Sequence, residues 1–327
     1  MAMKKVVWLE VHGEKVVQLE DSVTPKDFEV VRPVSRTDKE EHLRLLADAD
    51  YAIIGGIPMT GEYIKASKNL KLIQKWGIGA DNIDSETARE NGVAVSIAAG
   101  SNADAVAELA VGLMMATLRR IPYVDASTRR GQWLKASIRP TSFMIKGRTV
   151  GMLGMGNIAQ AAVKKLSGFE ANIIYFDARR LPAEKEAALN LRYVSFEELL
   201  KTSDILSLHI PLLPSTEKII GEKQFAMMKP GSVLINTARG KLVDEKALCR
   251  ALTEGPLQSA GMDAYEEEPP SADCPLLKMD NVVLSNHCGN STIDSVIPVT
   301  QHVFNNIVRF ENGEPIPEID VIVPRVL

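Results

Sequence analysis

Three short segments in the second half of the chain carry side chains that could do chemistry: Asn236-Thr-Ala-Arg239-Gly240, Asp263-Ala-Tyr-Glu-Glu-Glu268-Pro269 and Asn286-His287-Cys288-Gly289. Together they hold a permanent cation, several carboxylates and an imidazole. That set suffices to move a hydride and a proton at an alcohol or ketone carbon, because a guanidinium fixes oxygen anions and an imidazole exchanges protons near neutral pH. Each segment follows a short β-like run, so each is expected at the carboxyl edge of one parallel sheet, where open α/β sheets bind their ligands.

Upstream lies Gly151-Met-Leu-Gly154-Met-Gly156-Asn-Ile-Ala159, between an apolar strand-like run and a helical pattern. Gly154 and Gly156 permit a tight turn and a close backbone approach to a pyrophosphate at a helix N-terminus, and Ala159 is small enough for the helix to sit against the sheet. Asp177 ends the next strand, 21 positions after Gly156, where a carboxylate accepts the adenosine ribose hydroxyls and repels a 2′-phosphate. The expected cofactor is therefore NAD. Arg179 and Arg180 leave NADP open, since guanidinium groups pair with a 2′-phosphate.

The elements that must position these residues alternate between strand-like and helix-like runs, the pattern of βαβ units and parallel sheets. Residues 149–153, 172–176, 191–194, 205–209, 232–236, 259–262 and 282–285 read as strands of one sheet. Ser195 with Glu198 reads as a capping box, and Asp244 as the cap of a helix that stops near Gly255. A long helix is expected from Asn102 to Leu118, capped by Ser101 or Asn102. Residues 121–146, with Pro122, Gly131, Trp133 and Pro140, read as an excursion. In the first hundred residues, strands are expected at 51–54, 70–73 and 93–96, with a helix over 60–67.

At 327 residues, the chain exceeds the roughly 250 to 300 at which one core stops growing, so two domains are expected. With 38 Lys+Arg against 42 Asp+Glu, the formal charge is -4, which leaves no sequence-wide positive field for nucleic acid or an acidic membrane. The three cysteines form no C-x-x-C pair, and the apolar run from Val6 to Leu9 is too short for a secretory segment. A cytoplasmic protein is expected.

The chain resembles the D-isomer-specific 2-hydroxyacid dehydrogenase family. The resemblance runs through Gly77-Ile-Gly-Ala-Asp-Asn-Ile-Asp84, Asn102-Ala-Asp-Ala-Val-Ala-Glu108, the glycine loop, His209-Ile-Pro-Leu-Leu-Pro214, Thr237-Ala-Arg-Gly240, the segment from Asp263 to Pro269, and His287. It implies a Rossmann dinucleotide-binding domain (residues 101–290) inserted into a flavodoxin-like substrate domain (1–100 plus 291–327), both doubly wound parallel sheets, with the site in the cleft between them. A homodimer joined through the nucleotide domains is implied as well, through the long helix and the excursion.

By that resemblance Arg239 clamps the substrate's carboxylate and carbonyl oxygens, His287 is the general acid and base, and Glu268 orients His287 and raises its pKa. Chemistry alone leaves Glu266 and Glu267 open for the last role; the family's Glu-Pro pairing selects Glu268. The cofactor contacts implied are Gly154, Gly156, the backbone of Asn157 and Ile158, Asp177, His209, Pro211, Thr237, Ala238, Asp263 and Gly289. The substrate contacts implied are Arg239, the N–H groups of Ile78 and Gly79, and the Gly55-Gly56 turn. His12, His42 and His302 read as structural.

Two positions depart from the family pattern: Ala159 replaces a third glycine, and Cys288 replaces an aliphatic residue. Cys288 reads as a small apolar filler, with a redox-sensitive thiol as the sharper alternative. The other functions weighed are an NAD(H)-sensing corepressor-like module and a formate- or phosphite-type dehydrogenase. The substrate within the hydroxypyruvate, glyoxylate, phosphoglycerate or lactate class is not legible.

Overall fold

Burial along the first strand sets the architecture of the amino-terminal unit. The computed structural model describes residues 3–325. In β1 (Lys4–Leu9), Val7 and Leu9 join one apolar layer with Ala52, Ile54, Ile73 and Val95, while Val6 and Trp8 join the opposite layer with Tyr51, Ile53, Leu72 and Ala94. Successive side chains point to opposite faces, so a strand whose last four residues are all apolar and buried must be covered on both. With β2 (Phe28–Val31), β3 (Tyr51–Ile54), β4 (Leu72–Lys75) and β5 (Ala94–Ser96), the order is β2-β1-β3-β4-β5, all parallel, the flavodoxin-like arrangement. The terminal strand Val321–Val323 adds antiparallel to β5.

The chain's end belongs to this unit because the helix Ile293–Glu311 covers one sheet face. Val299, Val303, Phe304, Ile307 and Phe310 form its buried stripe at helical spacing, each contributing on the order of 1.5–3 kcal/mol. Asp320, fully buried, holds the tail by accepting the Ala99 N–H (2.8 Å), His302 Nε2 (2.6 Å) and the Asn306 amide (3.1 Å). His12 and His42 are likewise tied into the unit, by Glu20 (2.6 Å) and by the Tyr63 hydroxyl (2.9 Å).

The second unit, Ala103–Ser291, contains β6 (Thr149–Leu153), β7 (Asn172–Phe176), β8 (Leu191–Tyr193), β9 (Ile205–Leu208), β10 (Ser232–Asn236), β11 (Leu257–Met262) and β12 (Val282–Leu284). All pairs are parallel in the order β12-β11-β10-β9-β6-β7-β8, a Rossmann arrangement with one further strand. The helices Ala103–Leu118 and Asn157–Leu166 bury Ala107, Leu113 and Met114, and Ala159, Ala162 and Val163, against one face. Asp244 caps the helix Glu245–Thr253 as expected, accepting the Ala247 N–H at 2.9 Å.

Two capping expectations are corrected. Ser195 accepts the Glu198 N–H (3.1 Å), but the Glu198 carboxylate turns to Arg192 (2.6 Å), a stronger partner than a backbone N–H, so only half of the capping box forms. Ser101 donates to the Ala98 carbonyl (2.7 Å), and the buried Asn102 amide oxygen has no partner among the described residues, so neither caps the long helix. The excursion contains the helix Ile121–Arg129 and a 3-10 turn Arg139–Thr141, and leaves Ile121, Trp133 and Met144 exposed. No helix among the described residues is long and apolar enough to cross a membrane.

Candidate active site

β10, β11 and β12 lie side by side, and the turns that follow them carry the guanidinium, the carboxylate and the imidazole. At the end of β10 the buried Asn236 staples its own turn, accepting the Ala238 N–H (3.0 Å) and donating to the Arg239 carbonyl (2.9 Å). After β11, Asp263 is 2% exposed; its carboxylate accepts the Ser285 hydroxyl (2.6 Å) and the N–H groups of Cys288 (2.9 Å) and Gly289 (3.0 Å). Its carbonyl accepts the His287 N–H at 2.9 Å. This clamp holds His287 at φ +53, a left-handed conformation that costs on the order of 1–2 kcal/mol in a residue with a Cβ.

His287 Nδ1 donates to Glu268 Oε2 at 2.6 Å, and Glu268 Oε1 accepts the Tyr265 N–H at 3.0 Å. Glu266 pairs with Lys218 (2.9 Å) and Glu267 is exposed, so of the three neighbouring carboxylates only Glu268 meets the imidazole. The hydrogen bond to Glu268 raises the His287 pKa against the opposing effects of burial and of the Arg239 charge. Burial pushes the Glu268 carboxyl up, but the bonds from His287 and Tyr265 and the charges of His287 and Arg239 outweigh it and hold it below the usual range. Arg239 thus acts electrostatically on both members of the pair. His287 remains about half exposed (48%), and its Nε2 makes no hydrogen bond with the described residues, so a proton has a route to a ligand.

The glycine loop fits a dinucleotide. Gly154 has φ +96, and a Cβ there would lie 2.6 Å from the His209 carbonyl oxygen, so only glycine permits this turn. Gly156 precedes the helix Asn157–Leu166 without a side-chain cap, and a Cβ on it would meet nothing within 4 Å. The first N–H groups of that helix, from Asn157 and Ile158, make no hydrogen bond with the described residues and carry the positive end of the helix dipole, which suits a pyrophosphate. Asp177 accepts the Met155 N–H (2.7 Å) and the Arg179 N–H (2.8 Å), one on each oxygen, and retains lone pairs for ribose hydroxyls. The buried Thr237 hydroxyl has no partner among the described residues, as expected of a group that meets a ligand. His209 bonds Ser207 (2.8 Å), and burial pushes its pKa down to about 4, so the imidazole is neutral.

The family model described as "D-isomer specific 2-hydroxyacid dehydrogenase, NAD binding domain" matches residues 111–289. The glyoxylate reductase of Thermococcus litoralis is 41% identical over 263 residues, 79% of this chain and 79% of that one. The hydroxypyruvate reductase of Thermotoga maritima is 39% identical over 261 residues, 79% of this chain and 83% of that one. Among solved structures, the NAD-dependent formate dehydrogenase from Staphylococcus aureus in complex with NAD aligns with a TM-score of 0.86 at 28% identity, over 99% of this chain and 100% of that one. The chain belongs to the D-isomer-specific 2-hydroxyacid dehydrogenase family. It is an oxidoreductase that passes a hydride between a nicotinamide cofactor and a D-2-hydroxy acid or 2-oxo acid.

In this dehydrogenase one backbone contact ties two of the site's turns together. A Cβ on Gly240 would overlap the Tyr265 carbonyl and the Glu266 nitrogen, so the turn bearing Arg239 rests directly on the turn bearing Glu268. Gly240→Ala is expected to force them apart, destabilising the unit by about 2 kcal/mol, lowering Tm by roughly 5 °C and lowering kcat/KM. Thermal unfolding with steady-state kinetics checks this; an unchanged Tm would show that the contact yields easily.

The Gly55-Gly56 turn is held by bonds of its own. The Gly56 N–H donates to the Glu10 carboxylate, and the Gly55 carbonyl accepts Lys75 Nζ (2.7 Å) and the Asn82 amide (3.1 Å), so this peptide is saturated from within and offers a substrate no N–H donor. The N–H groups of Ile78 and Gly79 make no hydrogen bond with the described residues. Pro211 contributes a turn: its carbonyl accepts the Thr216 hydroxyl at 2.7 Å. The sequence reading missed the staple made by Asn236 and the clamp made by Asp263, although a buried amide or carboxylate at a strand end is the available signal for both.

Proposed function

We propose that His287 is the general acid and base, Glu268 its positioning residue, and Arg239 the clamp for the 2-oxo acid. The observation that supports this most strongly is the 2.6 Å His287–Glu268 bond within the field of Arg239. In reduction, protonated His287 gives its proton to the carbonyl oxygen, and Arg239 fixes the carboxylate and carbonyl oxygens through its planar fork. In oxidation, neutral His287 takes the hydroxyl proton while Glu268 stabilises the imidazolium. The nicotinamide, when bound, supplies or accepts the hydride. Asn157, Ile158 and Asp177 are the residues proposed to hold the dinucleotide, and the N–H groups of Ile78 and Gly79 are proposed as donors to a carboxylate. The carboxylate of Asp177 favours NAD over NADP.

The substrate proposed is a small 2-oxo acid of the glyoxylate or hydroxypyruvate type, after the names of the relatives. Following NADH fluorescence across a panel of 2-oxo acids tests it: turnover of none would favour a binding module. A proton-relaying pair has no task in formate oxidation, so the Glu268–His287 bond weighs against that chemistry. A cytoplasmic homodimer joined through the second unit is also proposed, supported by the exposed Ile121, Trp133 and Met144. Light scattering that gives a monomer mass would end that reading.

Reduction needs protonated His287, so its rate should fall as pH rises through a His287 pKa above the ordinary 6.5. Glu268→Gln removes the group that raises this pKa, and the basic limb of kcat/KM should move to lower pH. A limb that stays in place, measured as a pH profile of reduction, would detach Glu268 from the role.

A further inference from the structure

The turn after β7 contains an arrangement that hydride transfer does not require. Arg180, three residues beyond Asp177, is a natural partner for a 2′-phosphate, yet its Nε and Nη2 both end on Glu186, at 2.9 and 2.8 Å. Glu186 is itself fixed: its side chain is 10% exposed, and the Tyr175 hydroxyl donates to Oε1 at 2.6 Å while accepting the Leu181 N–H at 2.9 Å. The guanidinium lies over the Tyr193 ring, 5.1 Å from its centroid, and the Tyr193 hydroxyl donates to the Asp177 carbonyl at 3.3 Å. The bonds from Arg180 and Tyr175 hold the Glu186 carboxyl down at about 2, so it stays ionised wherever the protein is active.

We propose that Glu186 is a cofactor-specificity residue: it binds the Nε and Nη2 edge of the Arg180 guanidinium, and so anchors and partly neutralises that charge away from the 2′-phosphate of NADP(H). Asp177 then excludes the phosphate by its charge, and Glu186 removes one of the two arginines that would compensate. The bidentate pair holds one edge of the guanidinium in its own plane, and the contact with the Tyr193 ring holds that plane, so the arginine is kept in place although its side chain is 61% exposed. Arg179, exposed like Arg180 but with no partner on Glu186, is the other cation of this turn and is left untouched. The inference rests on the reading of Asp177 as the ribose acceptor.

The test uses the full-length protein and probes of the adenosine end alone, 2′,5′-ADP and ADP, titrated by calorimetry, with NADH and NADPH kinetics alongside. Wild type should bind ADP more tightly. Glu186→Gln, which keeps the Tyr175 hydroxyl partnered, and Glu186→Ala, which removes both acceptors from Arg180, should tighten 2′,5′-ADP about tenfold with ADP unchanged, the gain one charge-assisted contact supports. Adding Arg180→Ala to either variant should abolish the gain. Arg180→Ala alone should leave 2′,5′-ADP binding at the wild-type value; a loss there would show that the arginine already reaches the phosphate site and would overturn the proposal without any Glu186 variant having to fold. No tightening in either folded Glu186 variant, or a gain that survives without Arg180, would overturn it too. Tighter binding of 2′,5′-ADP than of ADP by wild type would instead remove the NAD reading beneath it.

Discussion

His287→Ala is expected to lower turnover by about 10²–10⁴, with NADH affinity close to wild type. The size follows from what is lost: the imidazole is the one group in the site that is oriented by a carboxylate on Nδ1 and carries an Nε2 with no partner among the described residues. Its removal leaves Arg239 and the glycine loop in place, so binding of the dinucleotide should persist while proton transfer fails. The backbone should favour the variant slightly less than glycine would, since the residue sits at φ +53. His287→Gly is therefore the control: if the alanine variant fails through strain in the turn, glycine restores stability but not turnover. Single-turnover kinetics with NADH titration separates the two effects. Near-normal turnover in either variant would end the acid–base assignment.

The second unit was readable because each of its strands is short, apolar and bounded by turn residues, and because its chemistry lies at strand ends. The first unit was less readable. β1 begins with Lys4 and Lys5 and reads as a brief apolar run; β2, with Glu29 between Phe28 and Val30, has no distinctive pattern; and the terminal strand Val321–Val323 is three residues long. These become strands through pairing with distant partners, which local pattern does not record. At the site, residue type and order pointed to Arg239, His287 and one of three neighbouring carboxylates, but not to what holds them. The choice of Glu268 over Glu266 required the family's Glu-Pro pairing, and the structure adds a reason: Glu266 is drawn away by Lys218. Glycine spacing at Gly55-Gly56 likewise does not reveal that a buried carboxylate, Glu10, takes the Gly56 N–H.

Arg239→Ala is expected to lower kcat/KM for the 2-oxo acid by on the order of 10²–10⁴, from two charge-assisted hydrogen bonds worth roughly 1.5–3 kcal/mol each. Arg239→Lys keeps the charge but loses the fork, and should recover only part of the loss. Magnitude alone does not identify the residue's place, since a mispacked turn also lowers activity. The pH profile does. The Arg239 charge holds the His287 pKa down against Glu268, so removing it should raise that pKa and move the basic limb of reduction to higher pH. This is the opposite direction to Glu268→Gln, and Arg239→Lys should leave the limb near wild type. A turn that had merely loosened would weaken the Glu268 bond and shift the limb downward instead. The sign of the shift therefore separates a guanidinium acting beside the imidazole from one that only supports the turn, and a downward shift in a stably folded Arg239→Ala would remove Arg239 from the site.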